Sequence, residues 1–520
     1  MPNEGLFLPV ACVGVILLSS LGLVVNFGGL APPSVTVSIT VDAAAPTTPL
    51  PSWGLNVAAT HDFNSSDAKL VADTPARFLR FPSGTFTESL NWTSGVLTQP
   101  DGVTDHATTT LAAFVGACQQ IQCEAILGLP AEIDEPSTAA YYVAYTERTL
   151  GFHPAYWEIG NEPSTWSHFG QPWSQWGTPG TGVTPSQYAV LVEQYIAAIR
   201  QVDPSTPILG LAAAEQGNPT AWIPPLLALD GKELAGISIH AYPAVPTPVL
   251  VSPIRYFSSL SYGEYAIPTV VPGYLATIAS SCPECSVDLF LTETGTTDGG
   301  TGAYAGYDAS FDGALYEAAE VTQLLAQKVE NVDWFTFQGG YAGAWVTPAA
   351  QPTPTFLLFR DIITQLGSDS LPTTVAGYPG VYAVATTGAP HGYALLVVNT
   401  NVASRVMFDL ARAGFAQPTV SATYWPNGAS GPVETNFSGS AVLAPVSVAL
   451  LYQSQPPTSS PPGGGSEFSL VGLVNPAILV SLGGVGAGIG AATLLAVPSY
   501  YRILGVGAGL LGVLLLLLVI

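Results

Sequence analysis

The chain has 520 residues, long enough for more than one domain with ample core. Only 9% of them are charged, against roughly 25% in ordinary soluble proteins, and 12 Lys plus Arg face 36 Asp plus Glu for a formal charge of -24. With so little positive charge to neutralise phosphate, nucleic acid and anionic lipid headgroups are excluded as natural partners, and a neutral or weakly charged ligand is favoured.

Apolar runs at the two ends predict membrane crossings. Residues 5–30 carry no charge, lack a basic leading segment and run into Pro32 and Pro33, so residues 1–33 are expected to form an uncleaved N-terminal transmembrane anchor rather than a signal peptide. Residues 468–497 and 503–520 are expected to form two C-terminal transmembrane helices, spanning 468–520 with a turn at Arg502. The positive-inside tendency places Arg502 in the cytoplasm, which makes the chain an integral protein of the cell membrane with its large central part extracytoplasmic.

After the first run, residues 34–44 hold a strand in which Val35, Val37, Ile39 and Val41 alternate with small polar residues. Residues 45–370 then read as eight short apolar strands separated by helical stretches. The strands are 53–57, 77–81, 124–129, 156–159, 208–211, 236–240, 287–291 and 332–337; the clearest helices are 186–202 and 309–330. This order predicts an α/β fold, a (β/α)8 TIM barrel with enlarged loops. A doubly wound sheet is the alternative, but it leaves unexplained why strands two to seven all end in polar or turn residues. Residues 371–453 change to alternation without helices and predict a small all-β sandwich, which the early strand is free to complete. Residues 454–467, rich in Pro, Ser and Gly, read as a linker. Cys118 with Cys123 and Cys282 with Cys285 form two local pairs. A four-thiolate metal site would need both pairs to meet, and Cys-x-x-Cys also suits redox chemistry; an extracytoplasmic location favours two disulfides.

The fourth strand ends in Asn161-Glu162-Pro163 and the seventh in Thr292-Glu293-Thr294. One carboxylate at a buried strand end is costly unless paired or used, and a single one reads as a structural hydrogen-bonding group. Two of them, on strands that face each other across a barrel mouth, point to a catalytic pair. Retaining glycoside hydrolysis requires two carboxyl groups roughly 5 Å apart, one protonated to assist the leaving group and one ionised to attack. Glu162 is then the acid and later the base, Glu293 the nucleophile, and Asn161 a donor to the sugar hydroxyl beside the reacting carbon. Arg80 falls near the end of the second strand, where it can keep Glu293 ionised, a surface ion pair being the plainer reading; Arg77 has the opposite parity and cannot share that face. Aromatics crowd the loops after the strands, with Trp92, Trp166, Trp173, Trp176, Tyr304, Tyr307 and Trp345 as candidate sugar platforms or loop packing, Trp166 and Trp345 among the binding candidates. No phosphate loop, paired-histidine zinc motif or nucleophilic-serine elbow occurs, and no metal or cofactor is expected.

Gly160-Asn161-Glu162-Pro163 and Thr292-Glu293-Thr294-Gly295 resemble the two catalytic segments of clan A glycoside hydrolases, and across residues 34–453 the layout most resembles the heparanase-like β-glucuronidase family. The resemblance implies a TIM barrel carrying a sandwich and an extracellular polysaccharide or glycan substrate. It further implies that Tyr242 holds the nucleophile and that His240 is its neighbour in the site; a hydrogen-bonded core histidine is the plainer reading of His240. Carried through to substrate, it implies a uronic acid glycone. The competing class is a catalytically silent, membrane-anchored sugar-binding or envelope protein. Low charge density and a pI near 4.3 further suggest a domain built for acid.

Overall fold

The structure is a computed structural model that describes residues 32–98, 104–132, 134–166, 182–214, 217–243, 253–262, 265–296, 310–338, 344–347, 349–388 and 390–454. Contacts divide the chain after Ser460 into two compact units, and every described residue belongs to the first. The three apolar runs lie outside the described residues; within those, no helix is long and apolar enough to cross a membrane.

The eight expected strands are present and close into a barrel. They are β1 (Ser52–Asn56), β2 (Ala76–Phe81), β3 (Glu124–Leu129), β4 (Tyr156–Ile159), β5 (Ile208–Ala213), β6 (Gly236–Ala241), β7 (Asp288–Thr294) and β8 (Asn331–Trp334). Each pairs in parallel with its neighbours in sequence, and β8 closes on β1 through Trp334 opposite Leu55. Successive side chains on a strand point to opposite faces. In β2, Leu79 and Phe81 therefore join the belt under the helices, where Phe81 stacks on Phe114 at 4.7 Å, while Phe78 joins Ile126, Leu209 and Phe290 in a small apolar cluster inside the barrel. The helix Pro185–Arg200 begins with a capping box, in which Thr184 and Gln187 satisfy each other's backbone N–H groups. Between β7 and β8 the expected helix runs over Phe311–Leu324.

Of the remaining described strands, Leu90–Asn91, Val96–Thr98 and Thr104–His106 form a three-stranded sheet between β2 and β3, and the others build a ten-stranded sheet with a two-stranded partner. The early segment splits: Ser34–Thr36 pairs in parallel with Arg405–Asp409, and Ser38–Val41 pairs antiparallel with Thr373–Ala376. Along the strand Gly392–Asn399, Leu395 and Val397 face the sandwich core while Leu396 and Val398 face the barrel. Burial on both faces explains its unbroken apolar run. On the barrel side Phe311 meets Trp425 edge-to-face at 4.9 Å. At the end of the sandwich the alternating stretch 441–452 forms two strands, Ser440–Leu443 and Ser447–Gln453, divided at Pro445, which cannot donate to a ladder, and at Val446, whose φ is 50°. Val433–Ser438 is a strand that its polar composition concealed. Cys118 pairs with Cys123 and Cys282 with Cys285, with Cα atoms 5.0 and 5.3 Å apart.

Candidate active site

Above the apolar cluster the barrel interior turns polar, and its centre is Arg80. The side chain is fully buried. Its Nε donates to Glu158 Oε2 at 2.6 Å, Nη1 to Glu293 Oε1 at 2.6 Å and to Asn56 Oδ1 at 3.0 Å, and Nη2 to Asn161 Oδ1 at 2.8 Å. Burial by itself lowers an arginine pKa, but attraction to Glu158 and Glu293 and their hydrogen bonds outweigh it, so the guanidinium is held charged more firmly than usual. By contrast Arg77 is 71% exposed and pairs with Glu124 at the opposite end of its strand, as strand parity requires.

Glu293 lies near the end of β7, where the ladder to β8 shifts register between Leu291 and Thr294 and the ladder to β6 shifts beside His240. Such irregularities re-aim side chains. One Glu293 oxygen accepts from Arg80 and from the Gly84 backbone N–H at 3.2 Å; the other accepts from the Tyr242 hydroxyl at 2.8 Å. Three donors over two oxygens, one of them cationic, fix the orientation of the Glu293 carboxyl group. Glu162 follows β4 in a left-handed conformation with φ 50°, tied by its N–H to the Ala212 carbonyl at 2.8 Å. That uncommon backbone turns the side chain toward β6, where Glu162 Oε1 and His240 Nδ1 share a hydrogen bond of 2.8 Å. The Glu162 side chain is 22% exposed against 6% for Glu293. One oxygen of Glu162, one of Glu293 and a nitrogen of His240 all lie within 4.8 Å of one another. That spacing would suit a cation, but the Arg80 charge already sits on Glu293 and the His240 nitrogen is bonded to Glu162, so the donor set fits a carboxylate pair better than a metal centre.

The structure thus brings together Arg80, Asn161, Glu162, His240, Tyr242 and Glu293. The tryptophans differ. Trp345 is fully buried, packed on Phe359 at 4.5 Å and edge-on to Phe356, which leaves no ring face for a sugar. Trp166 is buried beneath the Glu162 turn: its Nε1 donates to the Asn161 carbonyl at 2.7 Å, and a side chain on Gly160, which has φ 76°, would meet its ring at 2.7 Å. Both are supports for the site rather than platforms. Trp92 is likewise buried, stacked on Tyr142 and Trp157. Trp173, Trp176, Tyr304 and Tyr307 lie outside the described residues. After β8 the half-buried ring beside the carboxylates is Phe335, edge-on to Tyr242 at 6.4 Å and close to Gly84.

Several supporting groups were not singled out from sequence. Glu158 and Asn56 are the inward-pointing partners of Arg80, and strand parity within β4 and β1 was the available signal. Glu88 is a buried carboxyl that accepts from the backbone N–H groups of Ala131, Glu132 and Asn161 at 2.7, 2.8 and 2.7 Å, so it joins the turns after β3 and β4. Nothing in the local sequence around Glu88 marks it.

No family model and no curated protein matches the sequence. Solved structures do match in fold. A GH51 arabinofuranosidase from Xanthomonas axonopodis pv. citri aligns with TM-score 0.63 and 14% identity over 81% of this chain and 100% of its own. CelM2, a bifunctional glucanase-xylanase from a metagenome library, aligns with TM-score 0.60 and 17% identity over 82% and 100%. The GH family 44 endoglucanase Cel44A from Clostridium thermocellum aligns with TM-score 0.59 and 12% identity over 80% and 99%. The chain has the fold of these glycoside hydrolases. The narrower resemblance to heparanase-like β-glucuronidases gains no support from them.

Proposed function

We propose that the chain is a retaining glycoside hydrolase acting on an extracellular polysaccharide or glycan. The observation that carries this reading is the approach of one carboxylate oxygen of Glu162 to within 4.8 Å of one of Glu293, in keeping with the roughly 5 Å between carboxyl groups in double-displacement enzymes rather than the 6.5–9.5 Å that leaves room for a water in inverting ones. Glu293, oriented by Arg80, Gly84 and Tyr242, attacks the anomeric carbon as a carboxylate while protonated Glu162 gives its proton to the departing oxygen. Glu162 then takes a proton from water, which cleaves the glycosyl ester on Glu293. Asn161, fixed by Arg80 and by Glu88, supports the sugar hydroxyl next to the reacting carbon.

The glycone is neutral in this reading. A uronate needs a cation or an array of donors, and Arg80 already makes four hydrogen bonds to protein groups. Residues 167–181, 244–252, 297–309 and 339–343, which follow β4, β6, β7 and β8 in the sequence, contain neither Lys nor Arg. Membrane anchoring, with the catalytic domain facing outward, belongs to the same proposal and rests on the apolar runs of the sequence. A screen of aryl glycosides with the full chain in detergent tests it. Wild type releases a neutral sugar, and Glu293→Ala does not. Glycan binding without hydrolysis by wild type across pH 4–8 would favour the silent sugar-binding protein instead.

A further inference from the structure

We propose that Glu320 is a positioning residue that remains a neutral carboxylic acid and, through Thr294, ties the strand carrying Glu293 to the strand that leads into Tyr242. Its consequence for activity rests on the glycosidase reading above; its structural half rests on counting protons.

Thr294 follows Glu293 at the end of β7 and is fully buried, as is Glu320 on the helix Phe311–Leu324. The Thr294 hydroxyl oxygen lies 2.7 Å from the Ala241 carbonyl oxygen of β6 and is also hydrogen-bonded to Glu320 Oε1. A threonine hydroxyl has one proton to give. Two acceptors cannot both receive it, so both bonds are satisfied together only if Glu320 carries a proton, donates to Thr294, and Thr294 donates to Ala241. The other oxygen of Glu320 agrees with this. It is buried with no hydrogen-bond partner, tolerable for the carbonyl oxygen of a neutral acid and costly for an ionised carboxylate.

Among the described side chains none supplies a countercharge. Burial pushes Glu320 up to about 8, the Thr294 contact opposing it, and no cation contributes. Glu317, one turn earlier, is a second buried carboxyl. On the elements packed against this helix, Arg360 is paired with Asp361, Tyr382 is bonded to Ser261, Tyr393 to the Ala413 carbonyl and Tyr452 to Glu434, while Tyr274 is buried on its own helix. On the helix itself Tyr316 is bonded to Ser259. Ala241 immediately precedes Tyr242, whose hydroxyl holds Glu293, so the chain from Glu320 through Thr294 to Ala241 fixes two of the strand ends that set the nucleophile.

The test compares wild type, Glu320→Gln, Glu320→Ala and Thr294→Val. Gln can donate to Thr294 as the neutral acid does, so Glu320→Gln is expected to keep kcat within about threefold, whereas Glu320→Ala and Thr294→Val lose kcat on the order of ten to a hundredfold with little change in KM. Independently of any activity, infrared spectra of wild type minus Glu320→Gln at pH 6 are expected to show a protonated carboxyl band. The Tm of wild type is also expected to fall, relative to that of Glu320→Gln, as pH rises from about 4.5 to 8. A missing band together with parallel Tm profiles would overturn the proposal whatever the enzyme's substrate. A protein inactive on every glycoside, yet showing the band and the Tm difference, would sink only the glycosidase reading.

Discussion

The two ends of the barrel interior are built on opposite principles. At the lower end Phe78, Ile126, Leu209 and Phe290 fill the space between strands with apolar side chains that need only fit. At the mouth β2, β7 and the end of β4 present Arg80, Glu293, Glu158 and Asn161, where each buried charge requires a particular partner at hydrogen-bond distance. Replacing a well-packed apolar group costs volume; removing one partner of a buried ion pair leaves the other charged and unpaired. Stability is concentrated at one end and chemistry at the other, and mutations at each should move different observables.

The largest separation is expected at Glu293. Glu293→Ala should lower turnover on the order of 10⁴-fold or more at only a modest loss of Tm, because Arg80 keeps Glu158 as its ionic partner, measured by aryl glycoside kinetics beside calorimetry. Arg80→Met comes next and blurs the contrast, because it removes the cation from two carboxylates: about 3–5 kcal/mol of stability and turnover on the order of 10²–10³-fold should be lost together. Phe290→Ala should cost about 3–5 kcal/mol in chemical denaturation while kcat/KM of the folded fraction changes less than about threefold. If Phe290→Ala instead abolished turnover in folded protein, the division between the two ends would not hold.

The smallest effect is that of pH on stability. Burial raises Asp333, Glu320 and Glu88 to about 8, Asp230 to about 7 and Asp134 to about 6. A carboxyl whose folded pKa exceeds its unfolded one contributes stability that is complete below about pH 4 and is lost as pH rises through the folded value. His61, lowered by burial to about 4, acts oppositely and costs stability as pH falls from about 6.5 to 4. Five groups against one give a Tm that falls from pH 5 to pH 8, in keeping with a domain built for acid. A Tm rising over that interval would show these carboxyls to be ionised in the folded protein.

The strand-end signal made the barrel and its carboxylate pair legible in the sequence, because a polar residue stops an apolar strand wherever the active face begins. Arg80 was legible through parity. The tryptophans were not: Trp166 and Trp345 follow strand ends as a sugar platform would, and only the packing of Trp345 on Phe359 and the bond from Trp166 to the Asn161 carbonyl show that their faces are taken. Glu88, Glu158 and Glu320 were hidden for a different reason. Local sequence does not reveal which distant backbone N–H or hydroxyl will satisfy a buried acid, since Glu88 meets Asn161 across 73 residues and Glu320 reaches Thr294 on the preceding strand.

The central claim is that Glu293 and Glu162 act as nucleophile and acid/base on a sugar. Proton NMR of the first product formed from a glycoside that wild type cleaves tests it most directly. A product with the substrate's anomeric configuration is predicted, and an inverted product would contradict the assigned roles.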